Sequence, residues 1–454
     1  MAGIGFALRR NLGKDTYAEV LGAYMVAGIV GSGPWIISIC SMLFIGICAE
    51  AVGDASAVAT LFLATITHLI ALSLIVSGLV QLLFVRFVAD RTFEKRQATI
   101  AGNVGGVLFV VTAARGLFST VEAIVFFDGH YAFRTLFVAC FVILCNLWVL
   151  SALLSGLKEY RSVLAIFAMG YGVSFCAALA LGRFGAAGYL AGFLLGHALM
   201  VFTMLARVIS EYPGDRIVAF DFLRKTNVYP ELALIGFLFN SAIWADKFVF
   251  WENPITSVRL IGPIRYSVVY DVPIFVAYLS AVPGMAVFLV RIETDFAEAY
   301  ERFYAAVREG STLAELSRLR NALVVTARGG LYDILRIQGM TVAILLLLGR
   351  GVLRLFRIPA FYEYLYKIDV VGVGFQTFLL GIFTILFYLD YRKLVLWLCG
   401  LFAGANLALS VGSQVLGPRF YGFGFTLAAA LVSLVSLSAL SARLDRLEYE
   451  TFMR

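Results

Sequence analysis

The stretch Ala27–Ile39, AGIVGSGPWIISI, decides how this chain is read. It lies inside the first long apolar run, residues 20–49, which is long enough to cross a bilayer as a helix. Yet it gathers Gly28, Gly31, Gly33 and Pro34, the two residue types least suited to a helix interior. Pro34 has no N–H to give the Val30 carbonyl, so one helical hydrogen bond is lost. Gly31 and Gly33 lower the cost of bending there, and Ser32 can offer a local hydrogen bond. Backbone freed in hydrocarbon is tolerated only where protein or water satisfies it, and interrupted helices commonly line the route in transporters. Gly31, Gly33 and Pro34 are therefore hinge candidates, with a static packing kink as the alternative.

Composition extends this reading to the whole chain. Of 454 residues 61% are hydrophobic and only 14% charged, with a mean hydropathy of +0.91. Soluble domains are about half apolar and a quarter charged, so this chain lacks the polar surface for a water-soluble fold. Runs of ~20 mostly apolar residues occur near 20–49, 57–87, 101–127, 132–155, 162–182, 187–209, 231–251, 269–290, 331–349, 369–389, 393–415 and 421–442. The expectation is an all-α integral membrane protein with about twelve transmembrane helices.

Lys and Arg set the orientation. With the N terminus inside, 25 of the 36 fall in inner segments. Both termini are thus expected in the cytoplasm, and the net charge of +7 reads as this asymmetry, not as a nucleic-acid-binding face. The first ~19 residues hold no continuous apolar region of a cleavable signal peptide. Ile4, Leu8 and Leu12 recur at helical spacing, as in a short helix lying on the inner leaflet. All six Cys fall in expected membrane helices without metal spacing, so neither a metal site nor a disulfide framework is expected.

Six runs precede and six follow the mostly polar stretch Glu211–Glu231. The chain therefore reads as an N-terminal six-helix half over 1–212, a cytoplasmic linker over 213–230 and a C-terminal six-helix half over 231–454. Residues 291–328 form a second inner segment, with amphipathic stripes on either side of Gly310-Ser311. It reads either as a continuation of the eighth helix plus a surface helix packed on the protein's own inner face, or as a docking site for cytoplasmic partners. No polar piece is as long as a ~50-residue domain, and no nucleotide-binding, hydrolase or glycosyltransferase motif is present, so the chain is not expected to be an enzyme and calls for no cofactor.

Polar residues inside membrane helices are the sharpest functional signal. Thr112, Arg115, Ser119 and Glu122 share one face of the third helix, which lines a lumen or joins a buried ion pair. In NSAIWADKFVFW of the seventh helix, Asn240, Trp244 and Lys247 share a face, with Asp246 turned about 100° away. Asp271 opens the eighth helix and is placed to pair with Lys247 across the hairpin, with a snorkelling interfacial pair as the alternative, and Arg134 lies near the outer end of the fourth. Glu122, Arg134, Asp246, Lys247 and Asp271 are expected to converge in an outer-side polar cluster; together with the rest of the third-helix stripe, Asn240 and Trp244, they are the candidate transport path. His68 and His197 lie within membrane helices; His68 reads more readily as a packing histidine than as a proton relay, and Gly188, Gly192 and Gly196 read as a close-packing stripe.

MAGIGFALRR at the start and Ser32–Trp35, SGPW, resemble the beginning of the PelG family, inner-membrane proteins of the bacterial Pel exopolysaccharide system. That family is similar in turn to the flippase branch of the multidrug/oligosaccharidyl-lipid/polysaccharide (MOP) superfamily. Tyr270–Phe288 resembles the eighth helix of that branch, with Pro283 near its middle as a further hinge candidate. The resemblance implies a transporter in the bacterial inner membrane that passes an N-acetylhexosamine polymer to the periplasm. It implies partners too: the membrane lipid, the polysaccharide, a cytoplasmic glycosyltransferase of the PelF type, and membrane subunits of the PelD and PelE types. A lipid-linked oligosaccharide flippase, a small-molecule antiporter and a non-conducting synthase scaffold remain open beside it.

Overall fold

A computed structural model describes residues 17–51, 56–127, 131–157, 159–224, 228–356 and 358–453. The expected N-terminal interfacial helix, with MAGIGFALRR, lies outside the described residues. The described chain is helical almost throughout, as expected of an all-α membrane protein. In chain order the helices are α1 (Tyr17–Ala51), α2 (Ser56–Phe93), α3 (Ile100–Phe126), α4 (Tyr131–Gly156), α5 (Tyr160–Leu181), α6 (Gly185–Glu211) and α7 (Pro230–Glu252). After a short hairpin follow α8 (Asp271–Tyr278), α9 (Val282–Val290), α10 (Ala297–Glu309), α11 (Leu313–Leu355), α12 (Glu363–Tyr388), α13 (Arg392–Leu416), α14 (Phe423–Asp445) and α15 (Leu447–Met453).

Among the described residues, ten helical stretches are long and apolar enough to cross a membrane. The sequence count was about twelve. One of the ten, Tyr160–Glu211, holds both α5 and α6, joined by the three-residue turn Gly182–Phe184, and within α1 only the shorter Ser32–Cys48 qualifies as apolar. The sequence separated an inner segment ending at 328 from a span starting at 331. The structure has no break there, and α11 runs unbroken from Leu313 to Leu355.

The chain divides into two compact units. One, the N-terminal unit, holds the described residues of Pro34–Trp244 and Trp251–Ser267; the other, the C-terminal unit, holds residues 17–33, Ala245–Phe250 and the described residues from Val268 onward. The division crosses α1 between Gly33 and Pro34, inside the opening stretch, and cuts α7 after Trp244.

Aromatic and branched side chains from α2, α4, α5 and α6 fill the N-terminal unit, with Phe62, Phe84, Phe87, Phe167, Tyr171 and Phe193 all at most 1% exposed. Its closest pairing is α5 on α6, and the glycine stripe explains it. A Cβ at Gly192 would strike the Ala178 backbone, and one at Gly196 the Ser174 hydroxyl, so only hydrogen fits. A second crossing of this kind, where Gly78 of α2 meets Gly236 of α7, had no motif to announce it. The linker is anchored to α3: Ala219 donates to the Gly102 carbonyl at 2.7 Å, Asn103 and Asp221 bond at 3.2 Å, and buried Phe222 sits edge-on to Phe84 and Phe87. The hairpin β1 (Val258–Ile261) and β2 (Ile264–Tyr266) pairs Val258 with Tyr266 and Arg259 with Arg265. It turns at Gly262, which has φ +52° and lies against the Phe126 carbonyl.

In the C-terminal unit the eighth span is segmented. The short 3₁₀ turn Leu279–Ala281 separates α8 from α9, and Pro283 stands in the first turn of α9, where its missing N–H costs least. A π-helical turn, Arg291–Phe296, then joins α9 to α10. Gln338 of α11 donates to the Ser280 carbonyl at 3.1 Å and so serves a backbone acceptor in this irregular region.

Candidate functional site

The residues of the candidate path fall into three settings. In the third-helix stripe, Thr112 accepts a 2.9 Å hydrogen bond from Asn146 of α4, and Ser119 turns back onto the Arg115 carbonyl at 2.6 Å. Arg115 and Glu122 are half-buried, and no ion pair joins them. Their separation of seven residues along α3, about 10 Å, accounts for this. Arg134 ends α3: its guanidinium donates to the carbonyls of Phe127 and Ile124, placing a cation where the helix leaves acceptors unsatisfied. Asn240 bonds within its own helix to Gly236, and Trp244 is buried near Trp251, whose ring stacks on His68 with centroids 4.0 Å apart. His197 lies against Phe193, its Nδ1 2.8 Å from the Phe193 carbonyl. Both histidines thus stack on aromatic rings inside the N-terminal unit, each with Nδ1 at a carbonyl one turn back.

The hinge candidates also have a local account. Pro34 stands inside a helix that remains helical from Tyr17 to Ala51. The buried Ser32 hydroxyl donates to the Gly28 carbonyl one turn back, a bond that tends to bend helices. Gly28 lies against Val282 and Ala286, around Pro283, in the C-terminal unit, where an added Cβ would come within 3.3 Å of the Ala286 Cβ.

The densest polar constellation lies in the C-terminal unit. Asp246 and Lys247 are 0% and 1% exposed. Lys247 Nζ is 3.0 Å from Asp246 Oδ2 and donates to Tyr278 Oη at 3.0 Å. The Tyr270 hydroxyl donates to Asp246 Oδ2 at 2.6 Å, and Asn406 Nδ2 donates to Asp246 Oδ1 at 3.2 Å. Ser410 donates in turn to Asn406 Oδ1 at 3.0 Å. The ammonium also sits 5.0 Å from the ring centroids of Tyr278 and Phe425. A charged pair so deep is stable only when hydrogen bonds satisfy its remaining lone pairs and protons, and these contacts do that. The sequence turned Asp246 away from Lys247 by helical geometry, but the flexible lysine stem brings Nζ back to its neighbour. Asp271, expected to face Lys247, is buried in the first turn of α8, where the helix dipole favours a carboxylate.

Asp369 of α12 completes this centre and was not singled out from the sequence. It is fully buried, within electrostatic reach of Asp246 and Lys247, and neither carboxyl oxygen has a hydrogen-bond partner among the described residues. Hydrophobicity placed the start of this span at 369, leaving the acid at its edge. The helix begins at Glu363, which carries Asp369 nearly two turns inside. The clue lay in FYEYLYKID, whose tyrosines hide a helical start behind a polar reading. A buried carboxyl with both oxygens free is a place to take up a proton, a cation or a polar ligand group. Among the described residues no group of His, Cys, Asp and Glu is arranged to hold a metal ion.

A family model described as PelG, exopolysaccharide exporter (EPS-E), matches residues 1–452. The chain belongs to the PelG family. Solved structures carry the same fold. A MOP superfamily transporter from Pyrococcus furiosus, whose binding pocket is described as having reversed polarity, is similar at TM-score 0.64 and 15% identity, over 94% of this chain and 97% of its own. A multidrug-resistance MATE family transporter of the same superfamily is similar in its inward-facing conformation at TM-score 0.62 and 15% identity, over 98% of both chains. An outward-facing MATE transporter gives 0.62 at 16% identity, over 94% of this chain and 97% of its own. No curated protein matches. This PelG-family chain is therefore a multi-pass membrane transporter with the MOP fold.

Proposed function

We propose that this chain passes a nascent, N-acetylhexosamine-rich exopolysaccharide from the cytoplasm to the periplasm as the membrane subunit of a synthase complex. The family match over nearly the whole chain is the observation that carries this reading. In it the protein sits in the bacterial inner membrane with both termini cytoplasmic, in accord with the inner bias of Lys and Arg. Its two six-helix halves, 1–212 and 231–454, flank the linker 213–230. A glycosyltransferase of the PelF type and membrane subunits of the PelD and PelE types supply the polymer, and the chain performs no catalysis of its own. The half-buried Arg115 with Thr112, Ser119 and Glu122 faces the passing polymer.

Deletion of the gene followed by complementation tests this. Wild-type protein restores secreted polymer and co-purifies with the glycosyltransferase. Arg115→Glu keeps the complex but lowers secretion at least tenfold, whereas full secretion by Arg115→Glu in an intact complex removes the α3 stripe from the path.

A further inference from the structure

At the end of the C-terminal unit where α8 and α12 begin and α13 finishes, three connections surround a cleft of about 430 Å³. They are the chain just before α8, the turn Ala360–Tyr362 and the turn Pro418–Phe420. The volume lies within the range of small-molecule sites, about 300–1,000 Å³. Aromatic side chains dominate its wall: Phe361, Tyr362, Tyr364 and Tyr421, with Val269 and Arg419. These rings are held in place. Tyr362 Oη donates to the Val268 carbonyl at 2.6 Å, and Tyr364 Oη to the Arg419 carbonyl at 3.0 Å, so Tyr362 clips one connection to another and Tyr364 ties the first turn of α12 to the third connection. Tyr421 stands edge-on to Phe250 with centroids 5.0 Å apart. Phe361 and Tyr364 nonetheless remain 78% and 55% exposed. Arg419 makes no ion pair among the described residues, and no acidic side chain lines the wall.

We propose that this cleft is a sugar-binding subsite that holds one or two pyranose rings of the exported glycan. It rests on the reading of the chain as a glycan exporter, and under that reading this end faces the periplasm. A pyranose presents a flat C–H face that an aromatic ring covers at little entropic cost, since a two-torsion side chain has little freedom to lose. Ring hydroxyls and N-acetyl carbonyls take the five N–H donors of Arg419, and the tyrosine oxygens keep a free lone pair for sugar hydroxyls. Fixed rings with few strong hydrogen bonds give an affinity high enough to guide a polymer and low enough to release it. An aromatic belt against lipid headgroups would spread its rings around the outer perimeter with their polar tips in the interface. Here the rings line one concave wall, and two of the hydroxyls are spent on the protein's own backbone.

The test uses the purified full chain in nanodiscs and the N-acetylglucosamine pentamer as probe, read by saturation-transfer NMR. Wild-type protein transfers saturation to the pentamer, Phe361→Ala weakens binding about fivefold or more at unchanged Tm, and Phe361→Trp restores it. Absence of transfer from wild type, or equal binding by Phe361→Ala, overturns the subsite. Loss of phosphatidylglycerol binding instead of pentamer binding in Phe361→Ala also overturns it and assigns the cleft to lipid. Failure of the export reading has a separate signature: a deletion strain that secretes normal polymer.

Discussion

Lys247 and Asp246 follow one another in sequence, yet their charged groups meet at 3.0 Å in a place that exposes almost nothing of either side chain. Adjacent residues on a helix do not ordinarily face each other. Here Tyr270, Tyr278 and Asn406 surround the pair and hold it in this arrangement. Removing one partner leaves the other buried and unpaired. Lys247→Met and Asp246→Asn are each expected to destabilise the C-terminal unit by about 3–5 kcal/mol. The double substitution recovers much of that loss, because no orphan charge remains. Thermal unfolding of the purified protein checks this, and a double-variant loss equal to the sum of the two single losses would show that the two side chains act independently.

Arg134 is expected to act through stability. Its guanidinium serves the carbonyls that end α3, so Arg134→Ala leaves acceptors open and costs about 1–2 kcal/mol. Per folded molecule, secretion should stay at the wild-type level. A large secretion defect at unchanged Tm would return Arg134 to the transport path.

The glycine stripe gives a prediction with an internal control. A side chain at Gly192 has the Ala178 backbone in its way, which cannot move without parting α5 from α6. Gly192→Val is expected to abolish accumulation of folded protein in membranes. Gly400→Ala in α13 meets nothing within 4 Å and, removing a flexible residue from a helix, should raise stability slightly, by up to about 1 kcal/mol. Fluorescence-detected size-exclusion profiles of the two variants separate the outcomes.

These contrasts mark how much was legible in the sequence. The fold class was, because apolar runs of bilayer length carry it without tertiary detail. The α5–α6 contact was legible for a similar reason: its glycines recur at a fixed spacing within one helix. Gly78 and Gly236 form an equally close crossing but lie far apart in sequence, and neither has a periodic neighbour. Lys247 and Asp246 stood out as charges in an apolar run, whereas Tyr270, Tyr278 and Asn406 look like ordinary helix residues until the fold brings them to that pair. The hairpin is not legible at the scale of membrane spans, because Val258–Tyr266 is only a short run around a Gly-Pro turn.

Pro34 puts the hinge reading of the opening stretch to a test. It withholds a hydrogen bond from Val30 while Ser32 spends its hydroxyl on Gly28. Pro34→Ala restores the missing bond and is expected to raise Tm by a few degrees and slow secretion, as stiffening a hinge does. A stabilised variant with wild-type secretion would make the kink a matter of packing.

Asp369 offers the cleanest separation of structure from function. Substituting a buried polar residue usually breaks hydrogen bonds and confounds any loss of activity with loss of fold. Here both carboxyl oxygens lack a partner among the described residues, so Asp369→Asn, nearly the same in shape, gives up no hydrogen bond to any of them. It also removes a second carboxylate from the neighbourhood of Asp246. Folding stability should therefore hold or rise. Secretion should fall at least tenfold, since the amide cannot take up a proton or balance a cation as the carboxyl does. The paired measurement is Tm in detergent and polymer secreted per folded molecule. A variant as stable and as active as wild type would place the Asp369 carboxyl outside the transport cycle. A variant that loses stability would instead require that the carboxyl be held in the native protein by a partner from outside the chain, a bound cation or an ordered water.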